Sequence, residues 1–109
     1  MAGAVVQIEV QVGVGAIINS GAIVDHHCQL ADYCHVSPGA ALAGEVQVQA
    51  RAWVGIGSTT LPRVTIGKGT TIGAGSVVVS DIPDSVVAYG NPCRVRRSLV
   101  HTPKPVAQN

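Results

Sequence analysis

The chain has no phenylalanine, and only one tryptophan and two tyrosines among its 109 residues. A chain that is 47% hydrophobic normally fills a globular core with more large rings. Here the apolar share is Val, Ile, Leu and Ala, which suits thin, regularly stacked layers. Charge is also scarce, at 12% of residues with a formal net charge of +1. No global field therefore points to nucleic acid or to an anionic membrane. Long apolar runs are missing: the longest uncharged N-terminal stretch, Val10 to Val24, contains Gln11, Asn19, Ser20 and three glycines. Met1 to Glu9 has no basic residue and does not read as a signal peptide, so a cytoplasmic location is the default expectation. Three cysteines, an odd number, argue against a disulfide framework.

What the chain has is a period. An aliphatic residue returns every sixth position through Val6, Val12, Ile18, Val24, Leu30, Val36, Leu42, Val48, Val54, Ile66, Ile72 and Val78, and only Thr60 breaks the series. A second column, four residues after each of these, is small or β-branched: it runs from Val10 and Ala16 through Cys28 and Cys34 to Ser76 and Ile82. Neither a strand of period two nor a helix of period 3.6 gives this pattern. A fixed period of six predicts an all-β hexapeptide solenoid in which three hexads make one triangular coil. Residues eighteen apart then stack, and the two columns face inward.

Length fits one domain. The hexads predict a β-helix of about four coils over 1–83 and a C-terminal cap and tail over 84–109. Pro83 removes a ladder donor and ends the regular pattern. The stretch Val86 to Arg97 is expected to fold over the last coil, because an uncovered coil end is an open sheet edge. Thr102 to Asn109 is expected to be loose. At the other end the ladder starts at Val5 and Val6 with no capping element, so the first coil is expected to be covered by another subunit or by a preceding domain.

Several segments carry a likeness beyond the period: Ile18-Asn19, Val24-Asp25-His26-His27-Cys28, His35-Val36-Ser37-Pro38-Gly39-Ala40, Leu42-Ala43-Gly44, Val54-Gly55-Ile56-Gly57-Ser58, Leu61-Pro62 and Tyr89-Gly90-Asn91-Pro92. In these the chain resembles the left-handed β-helix acyltransferases. It is similar above all to the C-terminal domain of bacterial sugar acetyltransferases of the sialic acid O-acetyltransferase and UDP-4-amino-sugar N-acetyltransferase type. The resemblance implies a homotrimer and acetyl-CoA as co-substrate, with an amine or hydroxyl of a sugar or nucleotide-sugar as acceptor. It also implies that the base histidine is His26, and that Asn19, His35, Gly44, Ile56 and Ala74 fall around the base and along the cofactor. Relatives carry an N-terminal nucleotide-sugar-binding domain, and Met1 falls about where their second domain begins.

The chemistry of acyl transfer fits these residues. The nucleophile needs a base, the oxyanion a donor and the pantetheine arm a groove. An imidazole suits the first role at neutral pH. Gly44, eighteen residues after His26, is expected to lie over it, to leave room for a substrate carbonyl and to offer its N–H as oxyanion donor. Asn19 and His35 are expected to position groups in the same cleft, with Trp53 stacked over His35 and serving subunit packing or ligand contact. Gly55-Ile56-Gly57 and Gly73-Ala74-Gly75 are expected to keep one edge smooth for pantetheine. Lys68 and the cluster around Arg94 are candidates for the CoA phosphates, with a solvated tail as the plain alternative for the arginines.

One departure stands out: relatives place Asp or Glu directly after the base histidine, and here the residue is His27. A second imidazole lends no negative charge, so a weaker or more acid-sensitive base is expected, unless a carboxylate comes from elsewhere. The competing function is a truncated or stand-alone trimeric solenoid that binds CoA or a partner without turnover. A zinc site from Cys28, Cys34 and the histidines is disfavoured, since the thiols fall in the inward column and the histidines point outward. The γ-type carbonic anhydrases share the fold, but their His-x4-His pair is absent here.

Overall fold

A computed structural model describes residues 3–99. Its frame is a ladder of two-residue strands spaced every six residues and wound into three faces. Face one stacks β1 (Val5–Val6), β4 (Ile23–Val24), β7 (Ala41–Leu42), β10 (Thr59–Thr60) and β13 (Val77–Val78). Face two stacks β2 (Gln11–Val12), β5 (Gln29–Leu30), β8 (Gln47–Val48) and β11 (Thr65–Ile66). Face three stacks β3 (Ile17–Ile18), β6 (His35–Val36), β9 (Trp53–Val54) and β12 (Thr71–Ile72), then β14 (Val86–Gly90) and β15 (Cys93–Ser98). All pairings within the coils are parallel and join residues eighteen apart, as in Val24 with Leu42 and His35 with Trp53. No helix forms among the described residues, and none is long and apolar enough to cross a membrane.

The two periodic columns fill the prism. From Ile18 onward every member of the aliphatic column is buried, and from Ala22 onward so is every member of the small column. Small residues are needed in the second column because it lies at the corners, where chain direction changes and space is least. Among the described residues the first coil has no rung on its outer side, and Val12 stays 47% exposed where Val48, two coils on, is 1% exposed. Thr60 holds its aliphatic position by bonding: its Oγ1 accepts from the Ala43 N–H at 3.1 Å. Ser58, Thr70 and Ser76, also buried, donate to the carbonyls of Gly73 and Pro83. Inward hydroxyls thus satisfy corner groups that the ladder leaves unpaired.

At the C-terminal end the rhythm shortens. Ile82 still bridges to Ile66, and Val86 and Ala88 remain in the core. β14 then pairs with β12 sixteen residues on, Thr71 against Val87, two fewer than in the coils below. Face three so gains one more rung beyond residue 83. β15 turns back antiparallel on β14, with a register shift between Val87 and Ala88, and closes that edge. The expectation for Thr102 to Asn109 lies outside the described residues.

Candidate active site

Each coil has three corners. The first, between faces one and two, stacks Asp25-His26-His27 over Gln7-Ile8-Glu9 and under Ala43-Gly44-Glu45. Its last turn position adopts a left-handed backbone in the first four coils, at Glu9 (φ 59), His27 (φ 60), Glu45 (φ 62) and Arg63 (φ 62). That conformation favours glycine and costs a side chain about 1 kcal/mol. At the third corner, between faces three and one, the matching position is always glycine: Gly21, Gly39, Gly57 and Gly75. One corner of the prism is thus smooth and the other carries charged and polar side chains.

His26 lies directly against Gly44. A Cβ on residue 44 would come within 2.8 Å of both Cε1 and Nε2 of the imidazole. The space above Gly44 is therefore filled by the ring itself rather than left open for a carbonyl, which corrects the reason given for glycine there. In the same turn the Ala43 N–H is bonded to Thr60 and the Glu45 N–H to the His26 carbonyl at 2.9 Å. Among the described residues the Gly44 N–H has no protein acceptor.

The His26 ring is held from its other side. His26 Nδ1 lies 3.0 Å from His27 Nδ1, and the two rings meet edge to face. His27 Nε2 lies 2.7 Å from a carboxylate oxygen of Glu9, one coil earlier. Asp25, though adjacent, does not reach the ring: its Oδ1 accepts from the His26 backbone N–H at 2.7 Å. A carboxylate therefore does stand behind His26, through His27. Glu9 was missed in the sequence, although it lies eighteen residues before His27 and the stacking rule alone would have found it. The corner opens on a groove of about 710 Å³. Its far wall is a ladder of amides, Gln11, Gln29 and Gln47, in register on face two and equally unremarked in the sequence.

Asn19 and His35 form a second constellation. Asn19 Nδ2 donates to His35 Nε2 at 2.6 Å. The Trp53 ring stacks flat on His35, with centroids 3.8 Å apart and planes 3° from parallel. This group belongs to face three and its corner with face one, whereas His26 is on the opposite edge of face one. Within one chain His35 and Asn19 do not share the groove of His26.

The residues assigned to the cofactor divide in the same way. Ile56 and Ala74 stack at the smooth third corner, where the Gly75 N–H donates to the Ile56 carbonyl at 2.8 Å. A Cβ on Gly57 or Gly75 would meet open space. Gly55 is different: a Cβ there would strike backbone of residues 72–74 at 2.5–2.7 Å, so coil packing requires it. Arg94 pairs with Tyr89 at the top of this corner, where Tyr89 packs on Gly73. Arg96 crosses the Tyr89 ring at 5.0 Å and donates to the Tyr89 carbonyl. Lys68 sits at the second corner, between faces two and three, where its N–H donates to Asp84 Oδ1 at 2.8 Å. The structure thus brings Ile56, Ala74 and Arg94 to one edge and leaves Lys68 on another.

The cysteines take no part in this chemistry. Cys28, Cys34 and Cys93 are buried and unpaired by disulfides. Burial pushes the Cys34 thiol up to about 11 and raises Cys28 and Cys93 in the same direction. Thiols so held stay protonated at neutral pH and are poor nucleophiles and ligands. Among the described residues no three or more His, Cys, Asp or Glu side chains gather into a possible metal cage.

Comparison with known proteins extends this picture. A galactoside O-acetyltransferase of Lactococcus lactis is 49% identical over 61 residues, which is 56% of this chain and 30% of that protein. A crystal structure of a His-to-Asn variant of perosamine N-acetyltransferase from Caulobacter crescentus, in complex with CoA and GDP-perosamine, superposes with a TM-score of 0.87. It is 49% identical and matches 88% of this chain and 46% of its own. The serine acetyltransferase of Neisseria gonorrhoeae superposes at 0.85 with 25% identity, over 93% of this chain and 42% of its own. The chain thus spans about a third of the curated relative and under half of these solved structures. Residues 45–80 match the six-repeat bacterial transferase hexapeptide family, so the middle of the ladder is similar in sequence to that family's repeats.

Proposed function

We propose that the chain is an acetyl-CoA-dependent acetyltransferase acting on an amine or hydroxyl of a sugar or nucleotide-sugar. The observation that carries this is the seating of His26 on Gly44, with Nδ1 engaged by His27 and Nε2 facing the turn whose N–H has no protein acceptor. His26 Nε2 takes the acceptor proton as its oxygen or nitrogen attacks the thioester carbonyl. The Gly44 N–H holds the resulting oxyanion. Collapse of the tetrahedral intermediate expels the CoA thiolate, and the imidazolium returns the proton to sulfur. The amide ladder of Gln11, Gln29 and Gln47 supplies donors and acceptors suited to sugar hydroxyls.

Acetyl-CoA belongs on the smooth third corner, with pantetheine along Ile56 and Ala74 and the phosphates toward Arg94. Lys68 serves only if a phosphate reaches across face three. Since that edge and His26 occupy different corners of one prism, a complete site needs the third corner of a second chain against the first corner of this one. A cyclic trimer presents three such clefts and brings Asn19 and His35 toward the His26 of a neighbour. The relatives support this reading: the matched L. lactis protein is named for O-acetyl transfer to a galactoside, and the C. crescentus enzyme was crystallised with CoA and GDP-perosamine.

The test is CoA release measured against a panel of amino sugars, sugars and nucleotide-sugars, for the parent and His26→Ala. Loss of roughly a hundredfold or more in kcat is expected for a general base. CoA binding with no turnover on any acceptor would instead favour a binding module.

A further inference from the structure

We infer that Glu9 and His27 together take the place of the single carboxylate that would otherwise orient the base, forming a Glu9–His27–His26 relay that fixes the tautomer of His26. The inference rests on His26 being the base, but the geometry stands apart from it. The Glu9 carboxylate only accepts hydrogen bonds, so at 2.7 Å it accepts one from His27 Nε2–H. A neutral His27 then has its lone pair on Nδ1. The 3.0 Å contact between the two Nδ1 atoms requires one donor and one acceptor, so His26 Nδ1 carries the hydrogen. This is the one neutral assignment that satisfies both bonds, and it leaves the lone pair of His26 on Nε2, the nitrogen packed over Gly44.

His27 occupies the left-handed turn position that the third corner fills with glycine in the matching coils. Neither Glu9 nor His27 is needed to fill the core, since both are exposed. The remaining charged neighbours do not compete for His26 Nδ1. Asp25 is spent on the His26 backbone N–H, and the Glu45 side chain, in the next coil, lines the same groove without a bond to the His26 ring. The arrangement is that of a histidine held in one tautomer by an acceptor on its second nitrogen, with an imidazole inserted as spacer. Glu9 and His27 are positioning residues, one coil apart, and a chain without the first coil would lose the relay.

The test uses the full chain with 15N-labelled histidine, in the parent, Glu9→Ala, His27→Asp and the double variant. Two-bond 15N–1H spectra at neutral pH read each tautomer without any turnover. The parent should show His26 with its hydrogen on Nδ1 and His27 with its hydrogen on Nε2, and Glu9→Ala should mix the His26 tautomers. In steady-state assays Glu9→Ala should lower kcat roughly tenfold and leave KM unchanged. His27→Asp should restore the His26 tautomer by direct contact, and adding Glu9→Ala to it should change nothing further. A parent His26 protonated on Nε2, or an unchanged tautomer in Glu9→Ala, would overturn the relay. So would an equal effect of Glu9→Ala in both backgrounds. If His26→Ala has no effect on transfer but the tautomers are as stated, the relay stands and the catalytic reading fails.

Discussion

Gly44 is where a single added carbon should separate catalysis from folding. Its backbone is outside the left-handed region, so alanine suits the chain, but the new methyl would meet His26 Cε1 and Nε2 at 2.8 Å. The ring must swing away. Gly44→Ala is expected to lower kcat/KM by roughly ten- to a hundredfold while changing stability by no more than about 1 kcal/mol, read by steady-state kinetics beside a thermal melt. Cys34 makes an independent prediction. Its folded thiol is raised from 9.0 to about 11 by burial, so the unfolded chain loses this proton first as pH rises. The stabilisation is complete below pH 9 and is lost as pH climbs toward 11, a change on the order of 1–3 kcal/mol. Urea titrations from pH 8 to 11 should show this loss in the parent and less of it in Cys34→Ala.

At the scale of the hexad, identical sequence positions should differ in worth according to coil. Val12 and Val48 occupy the same column on face two, yet one is 47% exposed and the other 1%. Val48→Ala is expected to cost about 2 kcal/mol and Val12→Ala less than about 1, by denaturant melts of the two variants. The column itself was readable from residue spacing, because a fixed period leaves one choice of inward face. The same spacing explains why Cys28 and Cys34 are core residues rather than ligands. What the period did not give was the bonding inside the corners. That Thr60 caps Ala43, and that β14 arrives two residues early, depend on hydroxyl geometry and on the break at Pro83, which no six-residue template contains.

Across the whole prism, the corner on which a residue falls decides what it can meet. Within the regular coils, turns stack on one corner when they are a multiple of eighteen residues apart, so His26 and Gly44 meet while His26 and His35, nine apart, do not. For the same reason Lys68, twelve after Ile56, lies off the edge that carries Ile56 and Ala74. The sequence pointed to both constellations in one cleft; the spacing of nine puts them on different corners of a single prism, so a shared cleft requires a second chain. The same rule places Glu9 under His27, where reading only the adjacent residue suggested an unsupported base. The account thus depends on acetyl-CoA reaching, from the glycine edge, the imidazole of an adjoining chain. A crystal structure with bound acetyl-CoA is the direct measurement. It should show pantetheine along Gly57 and Gly75 of one chain, and the thioester close enough to His26 of the next for an acceptor atom to sit about 3 Å from both the carbonyl carbon and Nε2. A thioester bound elsewhere, or one that leaves no room for an acceptor atom beside Nε2, would contradict it.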